Sequence, residues 1–173
     1  MDLGIEGKVA LVTASSKGLG RGAAEALAAE GVSVVINGRS AEVLAETQAA
    51  MRAAGADVLA VPGDVTDPVM PAALVAATLE WKGRIDIVVP NAGGPPPGRA
   101  LEVDDEQLAA ALNANLFTSV RLVREAVPHM RENHWGRICC ITSFSVKQPI
   151  PTLALSNTAR TALWAWTKTA SQD

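Results

Sequence analysis

Residues 8–20, Lys-Val-Ala-Leu-Val-Thr-Ala-Ser-Ser-Lys-Gly-Leu-Gly, constrain the fold more than any other stretch of the chain. Val9 to Val12 form an apolar run without alternation, the pattern of a strand covered on both faces of a parallel sheet. The run stops at small residues and two glycines. From Leu19 the apolar positions recur at helical spacing (Leu19, Ala23, Ala26, Leu27), and Gly31 stands where a left-handed residue would close a helix. The expected unit is therefore strand, tight turn, helix. The N–H groups that open such a helix lack intrahelical partners and sit at its positive dipole end, so they can hold a phosphate. Gly18 and Gly20, having no Cβ, would let a diphosphate approach the backbone closely.

The same alternation continues along the chain. Strands are expected at 32–36, 58–61, 85–89 and 137–142, and helices at 41–54, closed by Gly55, and at 158–170. Asp67 reads as an N-cap with Pro68 at the first helical position, opening a helix to about Trp81 before Gly83. Asp104 and Gln107 resemble a capping box that opens a long helix through Met130, with Pro128 weakening its last turn. Strands alternating with helices require crossovers and a parallel sheet covered on both sides. The expectation is an α/β, doubly wound parallel sheet (Rossmann-like) in a single domain, 1–173, with ligand bound beyond the carboxyl ends of the strands.

Composition narrows the function. The formal charge of −3 offers no basic face for nucleic acid, and no apolar stretch is long enough to span a bilayer. A cytoplasmic protein without nucleic-acid or membrane partners is expected. Cys139 and Cys140 are adjacent within the fifth expected strand and read as core cysteines. His129 and His134 have no ligand at metal-binding spacing, so no metal is expected. The 173 residues include no tyrosine.

With these motifs in order, the chain resembles the short-chain dehydrogenase/reductase family over essentially its whole length. The family's Thr-Gly-x-x-x-Gly-x-Gly turn matches Thr13-Ala14-Ser15-Ser16-Lys17-Gly18-Leu19-Gly20, with Ala14 in place of the first glycine. Ala14 is tolerable at negative φ and costly otherwise. Asp64-Val65 is similar to the pair that contacts adenine, and Asn91-Ala92-Gly93 to the motif after the fourth strand. Asn115 matches the helix asparagine that holds a water and relays protons, and Ser143 matches the active-site serine. The resemblance implies a nicotinamide dinucleotide cofactor. The second strand leads into Asn37-Gly38-Arg39, with no carboxylate for a ribose 2′-hydroxyl. Arg39 and Lys17 could instead pair with a 2′-phosphate, so NADP(H) is the expected cofactor.

The family's Tyr-x-x-x-Lys falls on Ser156 and Arg160. A phenol can be tuned towards neutrality, whereas an aliphatic hydroxyl lies far from that range and a guanidinium is effectively never deprotonated. The altered site expected from the resemblance has Ser143 and Ser156 on a substrate carbonyl oxygen, with Arg160 stabilising its charge and donating to ribose hydroxyls. A proton would arrive through water near Asn115. Lys147 is an alternative donor or a solvated loop lysine, and Thr142 and Ser145 read as structural. Family members continue with two further strands and a substrate loop, so the chain reads as truncated after the helix that carries Arg160. The resemblance further implies a homo-oligomer. The functions in view are an NADP(H)-dependent oxidoreductase of a small-molecule carbonyl, alcohol or 3-oxoacyl-type substrate, a binding or regulatory protein impaired in catalysis, and a truncated inactive product.

Overall fold

The computed structural model describes residues 2–173. Five parallel strands, β1 (Val9–Val12), β2 (Ser33–Gly38), β3 (Val58–Pro62), β4 (Ile87–Val89) and β5 (Arg137–Ile138), lie in the order β3-β2-β1-β4-β5. The helices are α1 (Gly18–Ala29), α2 (Ala41–Ala53), α3 (Met70–Lys82), α4 (Asp105–Leu112), α5 (Thr118–Glu132) and α6 (Ala154–Ala170). Successive strand residues feed two separate cores. Ala10, Val12, Val34 and Ile36 pack with Ala24 of α1 and with Leu44 and Met51 of α2. Leu11, Val35 and Val88 pack on the other face with Leu74 of α3 and with Leu122 and Ala126 of α5. Burying a side chain of this size is worth about 1.5–3 kcal/mol. With both faces buried, no position from Val9 to Val12 can be polar without losing that contribution, which is why the run does not alternate.

Several ends match local chemistry. Gly31 (φ +76°), Gly55 (φ +89°) and Gly83 (φ +70°) lie in the left-handed region just past α1, α2 and α3. The capping box forms: Asp104 Oδ1 accepts from the Gln107 N–H at 2.8 Å, and Gln107 Oε1 accepts from the Asp104 N–H at 3.1 Å.

Other boundaries differ from expectation. Helix α3 begins at Met70 rather than Pro68. A helix opened by Pro68 would need the Pro71 nitrogen to donate to the Asp67 carbonyl, and proline has no N–H. That carbonyl accepts from the Met70 N–H instead, at 3.1 Å, while Asp67 Oδ1 accepts from the Val69 N–H at 3.1 Å. Helix α6 begins at Ala154 because the chain pairs with Gly98: the Gly98 N–H donates to the Thr152 carbonyl and the Ala154 N–H to the Gly98 carbonyl.

The long helix is interrupted. Asn113–Phe117 is a π-helical segment between α4 and α5, in which the Thr118 N–H reaches back to the Asn113 carbonyl. The helix then carries Pro128 internally and ends at Glu132.

The fifth strand is shorter and more exposed than expected. Only Arg137–Ile138 pair as a ladder, although the Cys139 and Ile141 N–H groups still donate to the carbonyls of Val88 and Pro90. Among the described residues no strand lies beyond β5, so Ile138 is 41% exposed, Cys139 is exposed and Cys140 is only half-buried. The expectation that both cysteines belong to the core is corrected accordingly.

Candidate functional site

The strand order reverses between β1 and β4, and in such sheets a crevice opens outside the carboxyl ends at that point. A cleft of 750 Å³ lies there, lined by residues that follow every one of the five strands.

Its floor is the turn between β1 and α1. Thr13, 1% exposed, donates its hydroxyl hydrogen to the Asn91 carbonyl at 2.7 Å and accepts from the Asn91 N–H at 2.8 Å. Asn91 Nδ2 donates to the Ala14 carbonyl at 3.1 Å. Ala14 has φ +45°, so the residue in place of the family's glycine is strained. Ser15 is fully buried, donating to the Val12 carbonyl and accepting from the Asn37 N–H. A Cβ on Gly20 would stand 2.5 Å from the Ala14 carbonyl oxygen and 2.6 Å from Asn91 Nδ2, whereas one on Gly18 would meet nothing within 4 Å. Gly20 therefore permits packing of α1 on the turn. Gly18, with φ +60°, opens an uncapped helix: the N-cap is Lys17, and its side chain makes no capping hydrogen bond. Ser16, Lys17 and Leu19 face the cleft, while Thr13, Ser15, Gly18 and Gly20 stand behind its lining.

Asn37 is the residue that sequence reasoning missed. Fully buried at the end of β2, it accepts from the Ala14 N–H at 3.3 Å and donates through Nδ2 to the carbonyls of Val61 (3.0 Å) and Gly63 (3.1 Å). One amide thus ties the first turn to the exit of β3. The only signal was a polar residue ending an apolar run. Beside it, Asp64 Oδ1 accepts from the Thr66 N–H at 2.9 Å and the Thr66 hydroxyl at 2.8 Å. These bonds, with the charge of Arg39, hold its carboxyl below the usual range. The π segment is anchored on the same loop: Asn113 Nδ2 donates to the Thr66 carbonyl and the Thr118 hydroxyl to the Val65 carbonyl.

At the opposite end, Asn115, Ile141, Thr142, Leu155 and Arg160 form the wall. Asn115 is 3% exposed; Nδ2 donates weakly to the Ala111 carbonyl, and among the described residues Oδ1 has no partner. Arg160 is half-buried, and one guanidinium nitrogen donates to the Ile141 and Thr142 carbonyls. Burial pushes its pKa below the ordinary value. Ser143 and Ser156, both half-buried, adjoin this wall without lining it. Ser143 Oγ accepts from the Ser145 N–H at 3.1 Å, capping the short 3-10 turn Phe144–Val146. Lys147 lies over the Trp164 ring at 4.6 Å, and the buried Ser145 hydroxyl has no partner among the described residues. Arg39, Asp64, Val65, Asn91, Ala92 and Gly93 also line the cleft, whose charged residues are three cations (Lys17, Arg39, Arg160) and one carboxylate (Asp64).

The residues present fit a nicotinamide dinucleotide. The uncapped N-terminus of α1 supplies phosphate-binding N–H groups beside a lysine, and the orphaned Asn115 oxygen supplies an acceptor at the far end. Known proteins agree with the fold. Residues 8–173 match the family model described as short chain dehydrogenase. The chain is 34% identical over 169 residues to tropinone reductase-like 3 from Erythroxylum coca, covering 97% of this chain and 65% of that protein. It is 33% identical to a ketoacyl reductase from Nostoc sp., covering 98% of this chain and 59% of that one. The chain thus spans less than two thirds of the length of these relatives. Among solved structures, L-sorbose reductase from Gluconobacter frateurii, complexed with NADPH and L-sorbose, superposes with a TM-score of 0.95 at 34% identity, covering 99% of this chain and 66% of that one. A short-chain dehydrogenase/reductase from Burkholderia phymatum, in complex with NAD, gives 0.92 at 29% identity, covering 98% and 60%. With the strand order, the glycine turn and the Asn-Ala-Gly loop in place, the chain belongs to the short-chain dehydrogenase/reductase family.

Proposed function

We propose that this chain is a dinucleotide-binding, Rossmann-type domain that holds NADP(H) across the cleft and reduces a small carbonyl or 3-oxoacyl-type substrate. The observation that carries this reading is the charge of the cleft. In a chain of net charge −3, Lys17, Arg39 and Arg160 face the single carboxylate of Asp64. Around β2 the exit reads Asn37-Gly38-Arg39, so a 2′-phosphate would meet the Arg39 fork and the Lys17 point charge, with Asp64, whose carboxyl feels the Arg39 charge, as the one acidic group of the cleft. The diphosphate would rest on the N–H groups that open α1 at Gly18 to Gly20, and the adenosine beside Asp64 and Val65.

A nicotinamide bound at the Asn115 end would supply hydride to the substrate carbonyl carbon. The remaining work falls to the chain. Ser143 Oγ already accepts from an N–H, which leaves its hydrogen free to donate to a substrate oxygen. Ser156 offers a second hydroxyl, and Arg160 a fixed positive charge against the developing alkoxide. With no tyrosine in the chain, the proton comes from water held at Asn115 Oδ1. Exposed Phe117 and Trp164 favour a homo-oligomer, and a cytoplasmic place is part of the same proposal; no helix among the described residues is long and apolar enough to cross a membrane.

A second reading, cofactor binding without turnover, is favoured by one observation: a serine stands at the position of the family's proton donor. Titration of tryptophan fluorescence with NADPH and NADH, followed by NADPH consumption against a panel of ketones and oxo acids, separates the two. NADPH is expected to bind more tightly than NADH by about tenfold or more, and Arg39→Asp to reverse that order. Failure of both nucleotides to bind would overturn the proposal, and binding without consumption would select the second reading.

A further inference from the structure

At the β5 end of the cleft a cation stands without a counter-ion. Arg160, half-buried on α6, donates through one terminal nitrogen to the carbonyls of Ile141 at 2.9 Å and Thr142 at 3.3 Å. These two bonds engage that nitrogen and hold the guanidinium against the segment after β5. Among the described residues, Nε and the second terminal nitrogen have no hydrogen-bond partner, and no carboxylate pairs with Arg160. Asp64, the one acidic residue of the cleft, follows β3 at the opposite edge of the sheet and is engaged by Thr66. A desolvated charge is ordinarily neutralised, and backbone carbonyls supply only partial compensation.

The unused donors have a shape as well as a charge. With one terminal nitrogen pinned, Nε–H and the neighbouring N–H form the side-on fork that receives both oxygens of a carboxylate. The anionic groups of the cofactor belong elsewhere, at the α1 N-terminus after β1 and near Arg39 after β2, whereas Arg160 stands beyond β4 against the end of β5. An anion at Arg160 therefore belongs to the substrate.

We propose that Arg160 receives a carboxylate carried by the substrate, so that the substrate class is a short oxo acid and not a neutral ketone or ester. This rests on the carbonyl-reductase reading above, reassigns Arg160 from the developing alkoxide to the group beside the reacting carbon, and leaves the alkoxide to the Ser143 and Ser156 hydroxyls. Bound NADPH would supply hydride to the oxo carbon and water near Asn115 a proton to its oxygen, giving the hydroxy acid and NADP⁺, while the carboxylate would stay on Arg160 unchanged.

Acetoacetate and methyl acetoacetate differ in the charge that Arg160 would read. Calorimetric titration of each into the NADPH-loaded and the cofactor-free protein is expected to show the acid bound about 10- to 100-fold more tightly. Arg160→Met should abolish that difference, and Arg160→Lys should keep part of it. The acid-to-ester ratio is internally controlled, because a partly misfolded variant lowers the signal from both compounds alike. Equal affinities in the unsubstituted protein, or a preference that survives in Arg160→Met, would overturn the proposal. So would a fall in NADPH affinity with an unchanged ratio, which would assign Arg160 to the cofactor. Failure of NADPH to bind would remove the reductase reading, and the cofactor-free titration would still decide the role of Arg160.

Discussion

Thr13 and Asn91, at the ends of neighbouring strands β1 and β4, exchange a reciprocal pair of hydrogen bonds: the Thr13 hydroxyl donates to the Asn91 carbonyl and accepts from the Asn91 N–H. This pair closes the switch point of the sheet from below and sets where the two cleft loops leave it. Thr13→Val keeps the shape and removes both bonds. Each buried group left unsatisfied costs about 1–3 kcal/mol, so a loss of about 2–4 kcal/mol is expected in urea unfolding, while Thr13→Ser stays within about 1 kcal/mol of the unsubstituted protein. A valine variant of unchanged stability would show that the pair is not coupled to folding.

Ala14 occupies the left-handed region at φ +45°. That conformation costs a non-glycine residue about 1–2 kcal/mol, whereas glycine loses about 0.5–1 kcal/mol more chain entropy on folding than alanine. Relief of strain wins. Ala14→Gly is expected to raise stability by about 0.5–1 kcal/mol, and Ala14→Val to lower it by about 2 kcal/mol, because a β-branched side chain fits this region worst. Urea midpoints in the reverse order would contradict the strain.

Two carboxylates set the acid limit. The Lys82 ammonium at 2.6 Å and the Ser33 hydroxyl hold Asp57 below its ordinary pKa of 3.8, and the Thr66 N–H and hydroxyl, with Arg39, do the same for Asp64. A depressed carboxylate contributes stability that is complete above the unfolded-state pKa and disappears as pH falls through the lower folded-state value. Unfolding midpoints should therefore drop as pH falls below about 4, with the Asp57→Asn, Asp64→Asn double variant losing its deficit relative to the unsubstituted protein over the same window. A deficit constant from about pH 7 to about pH 2.5 would rule this linkage out.

The adjacent cysteines should react differently. Cys139 is exposed, whereas burial, together with the Cys139 charge, pushes the Cys140 thiol up to about 11. At pH 8 only about one Cys140 in a thousand is thiolate. Brief treatment with iodoacetamide is expected to leave one adduct, mapped by mass spectrometry to Cys139, and two after denaturation. Equal labelling of both in the folded protein would mean that β5 opens readily at its edge.

The amino-acid sequence determined the elements and their order, because strand and helix periodicities, the closing glycines and the Asp104–Gln107 box act over a few residues. It also disclosed the glycine turn at Thr13 to Gly20 and the absence of tyrosine at Ser156. What it could not disclose depends on partners brought together by folding. Asn37 binds three backbone groups, one in the turn after β1 and two at the end of β3, and its only local mark is that it ends an apolar run. The π segment around Asn115 depends on anchors at Thr66 and Val65, and Arg160 spends one nitrogen on the carbonyls of Ile141 and Thr142, in the segment that follows β5. The exposure of Cys139 was decided by the position of β5 at the edge of the sheet, a property of strand order and not of the residues in the strand. Hydrogen bonds between distant segments carry no local periodicity, so only the tertiary structure could assign them.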